Sequence, residues 1–196
     1  MAIPDDMTQG FEGQRIVLGP LVRVIEEAAD DVPWALVGAA SLALQGIDAS
    51  SSNLEFMVTE DTLHSLAGML DIAPKWGRGT HLAAERLHFM RHGVPVFVLA
   101  RPVFHGRYES LSPFDVPALW DARASVDVRG TVVFCTPVEW ELMLSVVLGI
   151  RSRTDLVGAH LREHGFDNRL LTRLLREGRV ERDTEEAVWA VLERTD

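Results

Sequence analysis

Residues 36–58, LVGAASLALQGIDASSSNLEFMV, constrain this chain more than any other stretch. The apolar run Trp34–Val37 stops at Gly38. The small apolar residues Ala39–Gln45 follow with no linker between. A polar segment, Gly46–Ser52, comes next, and then Leu54, Phe56 and Val58 alternate with Asn53, Glu55 and Met57. The order predicted is strand, glycine turn, helix, loop, strand. A helix that starts directly behind a small-residue turn offers unpaired backbone N–H groups to a phosphate. Gly38, Ala39 and Ser41 are therefore candidate phosphate contacts, with the Ser41 hydroxyl as an added donor. Glu55, one strand later, carries the hard oxygen that Mg²⁺ prefers. The same residues also fit a plainer reading. Gly38-Ala39-Ala40 would let a helix pack close to a strand, and Asn53 and Glu55 would be the exposed face of an edge strand.

The remaining patterns fill in an α+β chain. Arg15–Ala29 has helical spacing, and Asp30–Pro33 ends it. Thr59 or Asp61 is placed to cap a helix reaching about Leu70. Pro74–Thr80 reads as a loop. Leu87–Met90 and Val94–Ala100 read as strands around Arg91-His92-Gly93. The second is apolar on both faces, which predicts a central strand. Arg107–Asp121 has no clear period. Val126–Val128 and Val132–Cys135 form a hairpin candidate around Arg129-Gly130. The rest is helical: Val138–Gly149, Asp155–His164, Arg169–Glu177 behind Asp167, and Ala187–Arg194 behind Asp183–Glu186. The expected organisation is a flexible segment at 1–12, an α/β domain at 13–135 and a helical region at 136–196.

At this point the chain resembles the nucleotidyltransferase superfamily, in particular small bacterial members of the abortive-infection-toxin type. Gly38-Ala39 is similar to their glycine turn, and Leu42–Gly46 to the helix behind it. Ala49–Glu55 falls on their acidic segment. Gly93-Val94-Pro95-Val96-Phe97-Val98-Leu99 resembles the lead-in and strand that carry their third carboxylate. Thr136–Glu139 and Arg151–Asp155 look like the start of their C-terminal helices and an Arg-rich stretch ending in Asp. The resemblance implies a nucleotidyltransferase-like mixed sheet with flanking helices, followed by a C-terminal helical bundle.

The departures from that pattern bear on activity. Asn53 stands where the resemblance implies a first metal-binding Asp, while Glu55 can serve at the second position. Phe97 stands at the third carboxylate, Ala49 at an Arg, and the only lysine is Lys75. Two-metal transfer needs several anionic oxygens to hold cations about 4 Å apart. One carboxylate and one amide do not supply them, so Mg²⁺ is expected to bind weakly. The leading expectation is a catalytically degenerate module that binds a nucleotide or a partner. The rival is an active enzyme moving a nucleoside monophosphate from an NTP to RNA, protein or a small molecule. There Gly38, Ala39 and Ser41 would hold the triphosphate, Glu55 with Asn53 one Mg²⁺, and Asp48 a second carboxylate. A structural subunit of a protein complex is the third expectation.

Composition narrows the rest. With 19 basic and 29 acidic residues, the net charge of −10 argues against passive nucleic-acid binding. One cysteine, Cys135, allows neither an internal disulfide nor a Cys-based zinc site. The acidic N-terminus has no apolar run and no stretch is long enough to span a bilayer, so a cytoplasmic protein is expected. His160-Leu161-Arg162-Glu163-His164 has zincin-like spacing, but its second histidine also suits a helix C-terminus beside Gly165. Arg162, Arg169, Arg173, Arg176 and Arg179 could hold a phosphate or an acidic partner, or simply pair with Glu163, Glu177 and Glu181. Apolar faces on the first and last tail helices predict packing within the chain, or a homodimer or partner protein if left uncovered.

Overall fold

The computed structural model describes residues 12–194, so the flexible segment expected at 1–12 lies almost wholly outside the described residues. The first helix is α1 (Glu12–Ala29). The strand–turn–helix–strand segment follows as β1 (Ala35–Val37), α2 (Ala39–Leu44) and β2 (Leu54–Val58). Next come α3 (Glu60–Leu70), β3 (Lys75–Arg78), β4 (Leu82–Arg91), β5 (Val94–His105) and β6 (Ser110–Leu111). A 3₁₀ turn at Pro113–Asp115 precedes α4 (Pro117–Asp121). The hairpin β7 (Ala124–Val128) and β8 (Thr131–Cys135) leads into α5 (Val138–Val147), α6 (Arg151–His164), α7 (Asn168–Glu177) and α8 (Arg182–Leu192).

The strands form one eight-stranded mixed sheet in the order β3-β4-β5-β2-β1-β8-β7, with β6 on β5. β1 runs antiparallel to β2 and parallel to β8, and β2 runs parallel to β5. β5 is thus central, as its apolar sequence predicts. The chain divides into two compact units. Among the described residues, the first comprises 12–77, 84–101 and 124–135, and the second 78–83, 102–123 and 136–194.

In the first unit, side-chain alternation gives the sheet two faces. Leu54, Phe56 and Val58 of β2, with Val96, Val98 and Ala100 of β5, belong to one buried cluster. Val17, Leu18, Val22 and Ile25 of α1 and Leu63 and Leu66 of α3 complete it. Trp34 packs edge-on to Phe134 at a centroid distance of 5.3 Å. Thr59 caps α3, its Oγ1 accepting from the Thr62 N–H at 3.2 Å. Glu55 and Phe97 alternate with the core residues and so lie on the opposite face.

In the second unit, Trp140, Leu142 and Met143 of α5 are fully buried, as are Val157, Leu171, Leu174 and Val188. The apolar faces of α5 and α8 therefore form a core within this unit. Asp167 caps α7 by accepting from the Arg169 and Leu170 N–H groups.

Several stretches differ from expectation, these four among them. Residues 75–78 form an edge strand instead of a loop. An edge strand tolerates Gly77 because it pairs on one side only. Residues 107–121 contain β6, the 3₁₀ turn and α4, the last two started by Pro113 and Pro117 at helical N-terminal positions. α6 begins four residues early, at Arg151, behind Gly149 in the left-handed region. α8 begins at Arg182, so Asp183 and Glu185 lie in its first turn, where they complement the helix dipole.

Candidate functional site

Gly38 links β1 to α2 at φ 74° and ψ −148°. An L side chain is strongly disfavoured there, and this conformation lets the chain pass from strand to helix in one residue. The Gly38 carbonyl accepts the first helical bond from the Leu42 N–H at 3.0 Å. Val37, just before the turn, is paired across the ladder with Glu55 of β2. On its other side Glu55 is in register with Phe97 of β5. Val37, Glu55 and Phe97 thus stand in register on three neighbouring strands, with Gly38 one residue beyond.

Asn53 sits at the entry to β2. Its Nδ2 donates to Glu55 Oε1 at 2.9 Å. The loop before it is tied down on both sides. Ser51 Oγ donates to the Asn53 carbonyl at 2.6 Å, and Gln14 of α1 donates through Nε2 to the Ser51 carbonyl. Gln14 is itself 5% exposed, so this anchor is an interior one.

The other expected contacts lie elsewhere. Ser41 is fully buried, and its Oγ accepts from Gln45 Nε2 at 3.2 Å. Its hydroxyl is occupied inside the protein and does not reach solvent. Ala39 is half-buried at the start of α2. Asp48 is exposed on the loop after α2. Among the described residues, no group of three or more His, Cys, Asp or Glu side chains is arranged to hold a metal ion.

Phe97 has a partner the sequence patterns did not reveal. Its ring stacks on His88 of β4 with centroids 4.4 Å apart and planes within 5°. The signal was available in the turn. A two-residue connection, His92-Gly93, with both φ values positive, joins Arg91 to Val94 and sets His88 opposite Phe97. Arg86 precedes His88 by two residues on the same face. Its guanidinium lies against Gly77 of β3, within 3.1 Å of where a Cβ would stand.

The remaining motifs are largely structural. His160 and His164 share one face of α6, with rings stacked at 4.3 Å, and His164 Nδ1 lies 3.0 Å from the His160 carbonyl. Burial holds the His160 pKa below the usual histidine value, and its neighbour His164 adds to this against a smaller opposite pull from Glu163. In the tail, Arg173 pairs with Asp121 and Glu177, and Arg162 donates to the Val191 carbonyl at 2.7 Å. Hydrogen bonds donated by its guanidinium to Asp121 and then Glu177 raise the Arg173 pKa. Cys135 is buried in the core.

No family model matches the sequence, and no curated protein matches it. Solved structures do. A proposed nucleotidyltransferase from Thermotoga maritima is 14% identical, with a TM-score of 0.53 over 74% of this chain and 92% of that chain. An antigenic nucleotidyltransferase-like protein from Paracoccidioides brasiliensis is 12% identical, with a TM-score of 0.47 over 91% of this chain and 93% of that one. The mixed sheet with flanking helices is nucleotidyltransferase-like in fold. No helix among the described residues is long and apolar enough to cross a membrane.

Proposed function

We propose that this protein is a catalytically degenerate nucleotidyltransferase-like module, of the abortive-infection-toxin type by its motif order, that binds a nucleotide without transferring it. The observation that carries the reading is the register of Glu55 with Phe97. In-register residues of neighbouring parallel strands point to the same face, so a ring stands where a second carboxylate would complete a cation site. The bond from Asn53 Nδ2 to Glu55 Oε1 supports it further, since an amide N–H bound to the carboxylate takes a lobe a cation would need. This donor set does not fit two divalent cations, and any Mg²⁺ held through Glu55 is bound weakly.

Calorimetric titration with each of the four NTPs, with Mg²⁺ and then Mn²⁺, combined with a labelled-NTP transfer assay, tests this. Nucleotide binding with no label transferred to RNA or protein is the expected result. Transfer of label, lost in Glu55→Gln, would overturn the degenerate reading and favour the active enzyme.

A further inference from the structure

Arg86, His88 and Met90 alternate along β4 and are all exposed. The His88–Phe97 stack places this row on the same face as Phe97 and Glu55. Three features make the row more than a solvated edge. His88 is held on one ring face by Phe97, and no other ring contact involves it. Arg86 has no hydrogen-bond or ion-pair partner among the described residues, yet its guanidinium is seated on Gly77. Met90, at the end of β4 beside the His92-Gly93 turn, is 59% exposed and leaves an apolar side chain open to solvent next to His88.

We infer that this row binds a free nucleoside monophosphate without a divalent metal, the phosphate on Arg86 and the base stacked on His88. The inference rests on the nucleotide-binding reading above and assigns that nucleotide its contacts. A guanidinium fork matches phosphate oxygens in two parallel hydrogen bonds. An aromatic ring fixed on one side presents the other to a base, and stacking is tolerant of which base it is. The Met90 thioether can lie against the edge of the stacked ring. Residues two apart on a strand are separated by about 6.7 Å, a span that a single nucleotide bridges from base to its own phosphate. Phe97 thus has a task in place of a carboxylate: it fixes His88. The net charge of −10 favours a single nucleotide over a polyanion.

The test is calorimetry in EDTA with AMP, adenosine, inorganic phosphate and a tetra-adenylate, on wild type, Arg86→Ala, His88→Ala and His88→Phe. Circular dichroism checks that each exposed-site variant is folded. AMP should bind in EDTA, more tightly than adenosine or phosphate alone. Arg86→Ala and His88→Ala should each weaken AMP about tenfold, the factor expected for losing one such contact. His88→Phe should recover most of the His88→Ala loss. AMP binding unaltered by both alanine variants would overturn the inference, as would tighter binding of tetra-adenylate than of AMP. Magnesium-dependent NTP binding with no AMP binding in EDTA would overturn this row while leaving the nucleotide reading intact. No nucleotide bound under either condition would overturn both.

Discussion

Restoring carboxylates at Asn53 and Phe97 should turn this sheet face into a cation site, at a calculable cost. Glu55 and Phe97 are in register on neighbouring strands, so side chains there start about 4.8 Å apart. Two carboxylates at that spacing repel by about 3 kcal/mol at an effective dielectric of 20. Asn53→Asp adds a second repulsive contact, because the present 2.9 Å bond from Asn53 Nδ2 to Glu55 becomes a carboxylate pair. Phe97→Asp also removes the stack on His88, about 1 kcal/mol beyond its area. In EDTA the double variant should therefore be several kcal/mol less stable than wild type, with part of the repulsion relieved by proton uptake at the carboxylates. Mg²⁺ at a hundredfold excess over its dissociation constant would return about 2.7 kcal/mol. Thermal unfolding across a Mg²⁺ series reads this directly. The double variant should gain several degrees with Mg²⁺ while wild type barely moves. If the double variant responds no more than wild type, these positions do not converge on one ion and the reasoning fails.

Three further outcomes are expected. Gly158→Ala should destabilise by about 1–3 kcal/mol in chemical denaturation, because its Cβ would press into Val191 Cγ1 of α8 across a buried helix contact. Thr59→Ala should cost about 1 kcal/mol by the same assay, through loss of the hydrogen bond to the Thr62 N–H at the start of α3. His160 has a pKa lowered below 6.5 in the folded state, so the unfolded chain binds the proton more readily. Its contribution is therefore absent well above pH 6.5, and stability falls as pH drops through and below that value. His160→Gln should flatten the loss of stability between neutral and mildly acidic pH, measured by denaturant midpoints.

Much of the fold was legible because it is written in local chemistry. Thr59 and Asp167 cap helices where their side chains reach the first N–H groups. Arg129-Gly130, with both φ values positive, closes its hairpin as the flanking alternation requires. The double-sided apolar run at 94–100 sits in the middle of the sheet. What stayed hidden depends on partners far off in sequence. Residues 75–78 have no strand pattern of their own, and Gly77 and Gly79 suggest a loop. They are extended because β4 offers a ladder and Arg86 covers the glycine. α4 is too short for periodicity to reveal, and Glu177 holds it from 59 residues away by accepting the Ala118 N–H at 2.7 Å.

The site divides along the same line. Gly38 and Glu55 stand out in one dimension as a forced turn and a charged residue on an otherwise apolar strand, and the structure places them one position apart across the β1–β2 ladder. Ser41 was misleading for the same reason. A hydroxyl in the first turn of a helix looks available until tertiary packing is known, and here Gln45 claims it inside the core. Phe97 could be read from sequence only as something missing. Its positive role needs two registers at once, the parallel one that sets it beside Glu55 and the hairpin one that sets it against His88. In the degenerate reading proposed above, the ring at Phe97 is therefore more than a missing ligand. The aromatic ring cannot coordinate a hard cation, but it can immobilise a neighbouring histidine. Under the function proposed above, a face without metal chemistry would still keep the sheet positions to recognise a ligand.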